Sequence, residues 1–426
     1  MKVTQIKQTI KLDHVMDVAF DVHKDLLYCA ARTDKATYQD LCRNNTPRIE
    51  KQLRVWRDIA ESHGLANIRV ICEPTGMYDR KLLRTARRRG CLTTYVNTEA
   101  VAKYRVIETN EPSKTDTKDP FVIGSVAKQG KTIRIRTLPE EYAIMRKLGK
   151  IYDEQERQIV RTRVYLNPEL LELFCDYDFG KDFLYSTSGR ALIKKYHANP
   201  YSIVNVGQKR FCNAMKKAVP RIRRVTLEKL WEQAKISVLH ELPDEYLKTI
   251  DQRFMQLWHD FERFESARAQ TTVTMEKLLK RLRKEDPNIP APNKQVISDK
   301  NLARLIGETG PLYDFDHWRQ LMRYSGLNIV MRQSGKYTGQ FKISKRGRPM
   351  LRKILQNIVL PLVPKHKLFG EFYHHKKDTE KMPGNKAMTV TARMFLRKFF
   401  GWYKSGQEFN LERFTVDVNR PAKAAA

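Results

Sequence analysis

The fold is decided by a stretch near the N-terminus that reads VMDVAFDV at residues 15–22 and LLYCAA at residues 26–31. Both segments are rich in apolar residues, and a short polar turn at residues 23–25 separates them. This pattern predicts two adjacent strands that pair as an antiparallel hairpin. Asp21 therefore stands at the end of the first strand.

Outward from the hairpin, the chain alternates between helix and strand patterns. Glu73 directly follows the strand pattern at 68–72. A hairpin followed by strand, helix, strand and helix predicts an α/β domain with a mixed sheet flanked by helices. The predicted elements are a helix at 47–63, a buried strand at 68–72, a basic helix to 89, a strand at 92–96, a helix after 98, a polar loop at 110–115 and a helix to about 128.

The 426 residues are too many for one ordinary hydrophobic core. We predict an α/β domain over residues 1–135, a helical and coiled-coil region over 136–290, and a mainly α C-terminal domain over 291–426. The last boundary follows from the stretch DPNIPAP at 286–292, because its prolines end a helix and are typical of a linker.

Residues 247–282 place side chains at strict 3-4 spacing through five heptads, and most of these positions are apolar. The spacing favours a coiled coil, and a long amphipathic helix packed on its own core is the alternative. A coiled coil implies either a partner chain or an antiparallel helix within this chain.

The chain is strongly basic, with 80 Lys and Arg against 48 Asp and Glu and a formal net charge of +32. Such an excess repels itself in a compact protein unless a polyanion is nearby, and nucleic acid is the usual polyanion. A merely soluble basic protein is the alternative. Residues 183–227 and 317–370 contain no acid, and aromatic side chains are interleaved in the second stretch, which is typical of nucleic-acid binding. The candidate contacts are Arg221, Arg223, Arg224, Arg332, Lys336, Lys342, Lys345, Arg346, Arg348, Arg352 and Lys353.

Cysteine usage and hydropathy indicate the compartment. The six cysteines form no C-x-x-C pair and have no zinc-like spacing with histidine, so reduced thiols in a cytosolic protein are the simplest account. The N-terminus lacks an apolar signal core, and no apolar run reaches membrane-spanning length. We therefore expect a cytoplasmic protein with no membrane partner.

Four carboxylates are the candidate catalytic residues. Asp21 and Glu73 end two strands, and Asp116 and Asp119 stand three residues apart at a predicted helix start, where they would share one face. If the strand ends are adjacent and the helix crosses them, the acids converge and repel each other unless they hold divalent cations, with Mg²⁺ or Mn²⁺ favoured by oxygen ligands. Two such ions can stabilise the attacking and leaving oxygens of a phosphodiester displacement. Taken singly, each acid also fits an ordinary role as a turn, surface or helix-start residue.

Short motifs surround these acids and continue in the C-terminal half. The motifs are AFDVHKD at 19–25, CEPTGMY at 72–78, KTDTKD at 114–119, YSGLN at 324–328, RQSG at 332–335, ISKRG at 343–347 and LRK at 351–353. Together they resemble the DEDD tetrad and the serine domain of one family of insertion-sequence transposases. The chain departs from that family at Ile329, where proline is usual, and at Pro120, where a small residue is usual.

The resemblance implies a RuvC-type ribonuclease H fold for the N-terminal domain and a C-terminal domain with a nucleophilic serine, guided by a bridge RNA. It implies that Ser334 attacks a DNA phosphate to give a phosphoserine linkage while Asp21, Glu73, Asp116 and Asp119 hold Mg²⁺. Donor and target DNA would be the substrates. The resemblance also implies a homo-oligomer, a dimer or tetramer, whose protomers can each contribute half of a site.

The residues around Ser334 fit this role, although a serine beside a glycine is also a common turn residue. Basic neighbours can hold a phosphate, and Gly335 permits close backbone approach. No local His or Asp partner accompanies Ser334, which favours activation by the acidic metal site. Ser344 is the nearest rival serine, and Lys114 is either a phosphate contact or a solvated lysine.

Three alternatives remain open at this point. A Holliday-junction-type nuclease without a covalent intermediate needs the four acids but not Ser334. A non-catalytic RNA- or DNA-binding protein needs only the basic tracts. A conventional DNA-guided serine recombinase needs Ser334 but no acidic tetrad.

Overall fold

The computed structural model describes residues 14–109, 116–180, 182–293, 295–331, 333–334, 337–338 and 342–407, with the backbone alone at 108–109, 333–334 and 337–338. These residues form two units, Met1–Thr137 and Leu138–Ala426. The three-domain division expected from the sequence stays a prediction.

The first unit is built on a six-stranded mixed sheet with the strand order β3-β2-β1-β4-β5-β6. The central strands β1, β4 and β5 run parallel to one another, while β2, β3 and β6 pair antiparallel with their neighbours. The strands are β1 (Val15–Val22), β2 (Leu26–Arg32), β3 (Thr37–Arg43), β4 (Asn67–Cys72), β5 (Leu92–Val96) and β6 (Thr132–Ile133). The helices are α1 (Thr46–Ser62), α2 (Asp79–Arg88), α3 (Thr98–Thr109) and α4 (Asp119–Lys128).

Successive side chains of β1 point to opposite faces of the sheet, as they do in any strand. Phe20 and its neighbours of the same parity pack with Trp56 of α1 and Leu82 of α2. Ala19, on the other parity, packs with Val122 of α4. Asp21 shares the parity of Ala19, so it lies on the α4 face of the sheet.

Two sequence expectations for this unit are corrected. The sequence indicated neither β3 nor β6, since β3 is a largely exposed strand without the apolar alternation that marks a strand. Asp116 and Asp119 do not share a helix face, because Asp116 lies in the turn that precedes α4 and the helix begins at Asp119.

Two long antiparallel helices, α5 (Glu140–Leu173) and α10 (Asp244–Glu285), form the axis of the second unit. Their direction follows from side-chain pairs, since Glu169 of α5 faces Arg253 at 3.7 Å and Glu156 faces Arg268 at 2.6 Å. The predicted coiled-coil segment is therefore one helix, and the antiparallel helix within the chain is its observed partner. Leu257 and Phe261, at repeat positions, are buried.

Two hydrophobic cores lie at opposite ends of this helix pair. One joins Leu166 of α5 and Phe254 of α10 to the short helices between them. The other joins Met145 of α5 and Leu278 of α10 to the C-terminal helices. The short helices are α6 (Thr187–Tyr196), α7 (Pro200–Asn205), α8 (Gln208–Ala218) and α9 (Arg224–Ser237), and the C-terminal ones are α11 (Asp299–Thr309), α12 (Trp318–Ser325), α13 (Pro349–Lys365), α14 (Lys367–His374) and α15 (Gly384–Ser405).

Between α12 and α13 the chain forms two nested pairs of short strands. Here β7 (Ile329–Val330) pairs with β10 (Lys342–Ile343), and β8 (Gln333–Ser334) pairs with β9 (Tyr337–Thr338), both antiparallel. We call residues 329–343 the serine hairpin. Elsewhere, the six cysteines are all free, and none of the described helices combines the length and apolarity needed to span a membrane.

Candidate functional site

The carboxyl ends of β1 and β4 bring Asp21 and Glu73 to the same edge of the sheet. The two strands are parallel neighbours, and their register pairs Phe20 with Cys72. The next residue in each segment is an acid, Asp21 within β1 and Glu73 directly after β4. Glu73 interacts electrostatically with Asp21 and with Asp119 of α4, so it lies on the same side of the sheet. Parallel strands in the centre of an α/β sheet create their ligand crevice at this edge.

His23 lies close to the carboxylates of both Asp21 and Asp116. The sequence pattern did not indicate this histidine as a site residue. His23 Nε2 lies 3.0 Å from Asp21 Oδ2 and 3.5 Å from Asp116 Oδ1. One ligand atom from each of these three side chains lies within 4.8 Å of the others. Asp21 is 6% exposed, so its charge is held in a poorly solvated position. The sequence could have indicated His23 by its position alone, because it follows Asp21 by two residues and stands directly after the end of β1.

Glu73 is coupled electrostatically to the other acids. Burial raises the pKa of Glu73, and the negative charges of Asp21 and then Asp119 raise it further, while a hydrogen bond with Thr98 and the charge of Arg105 act in the opposite direction. Glu73 Oε1 is buried and has no hydrogen-bond partner among the described residues. A buried carboxylate oxygen without a donor is destabilising unless a cation or a proton compensates it.

Asp119, at the start of α4, is held by an arginine of α3. Arg105 Nε lies 3.0 Å from Asp119 Oδ1 and Arg105 Nη2 lies 3.1 Å from Oδ2, and Asp119 is 2% exposed. Such a two-pronged pair fixes both position and orientation of the carboxylate. Arg105 precedes Asp119 by fourteen residues on another helix, so no local sequence pattern indicates the pair.

The donor set fits a hard divalent cation. Asp21 and Asp116 offer carboxylate oxygens, which Mg²⁺ and Mn²⁺ prefer, and His23 adds an imidazole nitrogen that Mn²⁺ also accepts. Glu73 adds a further carboxylate that is coupled electrostatically to Asp21. Glu73 Oε1 is buried without a hydrogen-bond partner among the described residues, so a cation beside it would stabilise this carboxylate. Asp119 can act as a metal ligand only if its oxygens are shared between the ion and Arg105.

Ser334 lies in the inner strand pair of the serine hairpin, opposite Tyr337. The base of the hairpin is built from two of the quoted motifs. Lys345 N donates to Gly326 O at 3.0 Å, and Arg348 N donates to Tyr324 O at 3.0 Å. The motifs YSGLN and ISKRG are thus two halves of one backbone junction.

Close backbone approach explains the glycines of this junction. A Cβ at residue 347 would lie 2.4 Å from Gly326 N and 2.5 Å from Tyr324 O, which is well inside contact distance. Ser344, the rival serine, donates to Asn328 Oδ1 at 2.5 Å and so closes the same junction.

Several predicted phosphate contacts have partners within the protein. Arg348 Nε lies 2.6 Å from the buried Glu308, Arg352 Nη1 donates to Ser325 O at 2.9 Å, and Lys353 Nζ lies 2.5 Å from Asp153. Arg224 pairs with Glu228 at 2.7 Å. The exposed candidates are Arg221, Arg223, Arg224, Lys342, Lys345 and Arg346. Lys114, Arg332 and Lys336 lie outside the described residues. Nucleic-acid contact by any of these side chains stays a prediction.

Comparison with protein families gives two matches along the chain. A transposase model of the IS110 DEDD type matches residues 18–175, which include Asp21, Glu73, Asp116 and Asp119. A second model, described as transposase IS116/IS110/IS902 family, matches residues 295–374, which include the serine hairpin. These matches support an IS110-family transposase. Comparison with curated proteins returned no match.

The transposase matches agree with the architecture. The mixed sheet with helices on both faces fits a ribonuclease H-like DEDD domain, as the sequence resemblance implied. The family acts in DNA transposition and recombination, and domains of the DEDD type use divalent metal ions, which agrees with the Mg²⁺ or Mn²⁺ expected from the sequence.

Proposed function

We propose that the protein is an RNA-guided recombinase of an insertion sequence, which cuts and rejoins DNA strands through a phosphoserine intermediate with Mg²⁺-assisted catalysis. The observation that carries the proposal is that Asp21 lies close to Asp116 through His23 and is coupled electrostatically to Glu73, which directly follows β4, in a chain with two transposase matches. The proposed partners are donor and target DNA, a bridge RNA and further copies of this chain in a dimer or tetramer.

In this proposal Asp21, Glu73, Asp116 and Asp119 hold two Mg²⁺ or Mn²⁺ ions. Bound there, the ions would supply charge stabilisation to the phosphate oxygens during displacement. Arg105 fixes the carboxylate of Asp119 through its two hydrogen bonds. His23 lies within hydrogen-bonding distance of Asp21 and keeps that carboxylate beside Asp116. Both are positioning residues rather than reacting groups.

Ser334 is the proposed nucleophile. Its oxygen forms a bond to a DNA phosphorus while the bond from that phosphorus to a deoxyribose oxygen breaks, and the serine proton passes to a base or to water. The deoxyribose oxygen leaves and takes up a proton. Because the phosphodiester linkage is conserved in the phosphoserine, rejoining by a deoxyribose hydroxyl needs no separate energy source.

The acids by themselves favour a second candidate function, a junction nuclease that hydrolyses DNA without a covalent intermediate. Asp21 and Glu73 occupy the strand ends that such an enzyme needs, whatever Ser334 does. The two candidates differ in one product, since only the first yields protein joined to DNA.

A covalent-adduct assay separates these candidates. Full-length protein is incubated with labelled donor and target DNA, Mg²⁺ and the RNA that copurifies with it, and is then analysed on a denaturing gel. We expect a protein–DNA adduct and joined strands with the parent protein, and neither with Ser334→Ala. Strand joining at the parental level in Ser334→Ala would exclude the covalent mechanism.

Two further variants complete the assay. Ser62→Ala, an exposed serine of α1 whose hydroxyl bonds to Ile59 O, should keep the adduct. Asp21→Asn should abolish both cleavage and adduct, as should EDTA. Cleavage without adduct in Ser334→Ala would favour the nuclease, and sequencing of the copurified RNA tests the guide directly.

A further inference from the structure

A cleft in the second unit carries an excess of positive charge. Its walls come from α5, α11 and α13, and two acids, Asp153 and Glu156, line it. The cations that line it are Arg157, Arg161, Lys300, Arg304 and Lys353. Five cations against two acids give the lining of the cleft a formal net charge of +3.

Arg304 is the most unusual of these cations because it is almost completely buried. Its side chain is 4% exposed, and its guanidinium lies 4.7 Å from the ring centre of Tyr152 and 3.8 Å from Asp153 Oδ1. Arg304 Nε is buried and has no hydrogen-bond partner among the described residues. A buried guanidinium is costly unless its donors are satisfied, so this one is suited to an anionic acceptor.

The two acids are already compensated by other groups. Asp153 lies 2.5 Å from Lys353 and 3.8 Å from Arg157, and Glu156 lies 2.6 Å from Arg268. Arg161 and Lys300 have no ion pair among the described residues, so their charges act on whatever enters from solvent. Arg157 also pairs with Glu154 at 2.5 Å, but both side chains are exposed, and such a surface pair is weak enough to be exchanged for a phosphate. Arg161 and Arg157 stand one helical turn apart on α5, which is a spacing that puts both on the same face.

Apolar side chains at the cleft indicate what kind of anion enters. Val160 is 57% exposed and Leu360 is 62% exposed, and both line the cleft. An inorganic anion gains nothing from apolar surface, whereas a nucleotide presents a sugar and a base beside its phosphate. Cations next to exposed apolar side chains therefore match a strand of nucleic acid.

We propose that this cleft binds a backbone phosphodiester of a nucleic-acid strand, with Arg157, Arg161 and Arg304 facing the phosphate and Val160 and Leu360 facing the adjoining sugar or base. The inference rests on the proposed function only in that the enzyme handles nucleic-acid strands. It assigns to the α5–α13 surface a binding role that is separate from the acids and from the serine hairpin.

Salt-dependent binding tests the cleft. The affinity of the full-length protein for labelled duplex DNA, single-stranded DNA and structured RNA of equal length is measured by fluorescence anisotropy at several salt concentrations without Mg²⁺. Loss of one phosphate contact lowers the slope of log affinity against log salt by about one. We expect this in Arg157→Gln and in Arg161→Gln, with affinity about 5- to 10-fold weaker near 0.1 M salt.

Matched controls separate a local contact from general charge. Lys248→Gln removes the same charge from an exposed position on α10 outside the cleft and should leave the slope near that of the parent. Leu360→Asp should weaken binding and leave the melting temperature unchanged. Leu171→Asp, at a partly exposed position of α5 outside the cleft, should leave the affinity unchanged.

The outcomes have distinct meanings. A reduced slope with DNA alone, with RNA alone or with both supports the cleft and identifies its ligand. Slopes for Arg157→Gln and Arg161→Gln equal to that of Lys248→Gln with all three probes would overturn the proposal. Because binding is measured without strand transfer, a failure of the recombinase chemistry leaves this result intact, and the reverse also holds.

Discussion

At the scale of single residues, Glu73 and Arg304 present the same physical situation with opposite charge. Each carries a buried polar atom that no group of the described chain satisfies, Glu73 Oε1 in the first unit and Arg304 Nε in the second. Buried polar atoms are nearly always paired in folded proteins. Glu73 Oε1 lies near other acids and Arg304 Nε lies in a basic cleft, so these exceptions of opposite charge support the two proposed ligands, a metal cation and a phosphate.

Substitution of Glu73 by Gln tests the cation site. Removing the charge relieves repulsion with Asp21, so metal-free Glu73→Gln should melt at or above the temperature of the metal-free parent. Mg²⁺ should raise the melting temperature of the parent, because a hundredfold excess over its Kd adds about 2.7 kcal/mol to the free energy of unfolding. The increase should be far smaller in the variant.

Differential scanning fluorimetry with a Mg²⁺ titration after EDTA treatment measures this effect. Glu61→Gln, an exposed acid of α1, is the control and should retain the full response to Mg²⁺. An equal response of Glu73→Gln and the parent would remove Glu73 from the ligand set.

At the scale of elements, the serine hairpin depends on the junction between α12 and the start of α13. Gly326 and Gly347 let two backbone segments touch, and the pair of Arg348 with the buried Glu308 of α11 holds the second segment in place. The orientation of the hairpin is thus decided by residues that do not themselves react.

Gly347→Ala should disturb this junction. Its Cβ would meet backbone atoms rather than a flexible side chain, so we expect a loss of roughly 1–3 kcal/mol of stability and a loss of the protein–DNA adduct. Denaturant unfolding and the denaturing-gel assay measure the two effects.

Gly401→Ala provides the contrast. Gly401 lies in α15 with no atom within 4 Å of the added Cβ, so alanine there should stabilise the helix by about 0.5–1 kcal/mol and leave the adduct unchanged. Equal behaviour of the two variants would show that the junction tolerates a side chain and that the hairpin does not depend on it.

The sequence predicted those elements whose pattern is local. The periodicity of residues 15–31 and 247–282 indicated strands and a long helix, and Asp21 and Glu73 could be assigned to strand ends. It could not indicate Arg105 beside Asp119, because that pair joins two helices without any shared motif. The partner of α10 also stayed open, since heptad spacing describes one face of a helix and says nothing about what covers it.

At the scale of the whole molecule, charge dominates. A formal net charge of +32 means that the folded chain repels itself and that any bound polyanion relieves the repulsion. This term acts beyond individual contacts, and it depends on ionic strength rather than on the sequence of the nucleic acid.

A sequence-free polyanion should therefore stabilise the protein. We expect heparin to raise the melting temperature at low salt and to lose this effect near 1 M NaCl, where the screening length falls to about 3 Å. Thermal melts with heparin and with uncharged dextran of similar size make the comparison. A heparin effect that persists at high salt would mean that a specific site, and not overall charge, is responsible.

The antiparallel pair of α5 and α10 also determines the distance between the two hydrophobic cores of the second unit. Helix α10 has 42 residues and is about 63 Å long at 1.5 Å per residue. Inserting seven residues into each helix at the level of the Glu156–Arg268 pair would keep the facing sides in phase and move the cores about 10 Å apart. The helix pair therefore works as a spacer of adjustable length, and its length can diverge between related proteins without any change in the domains at its ends.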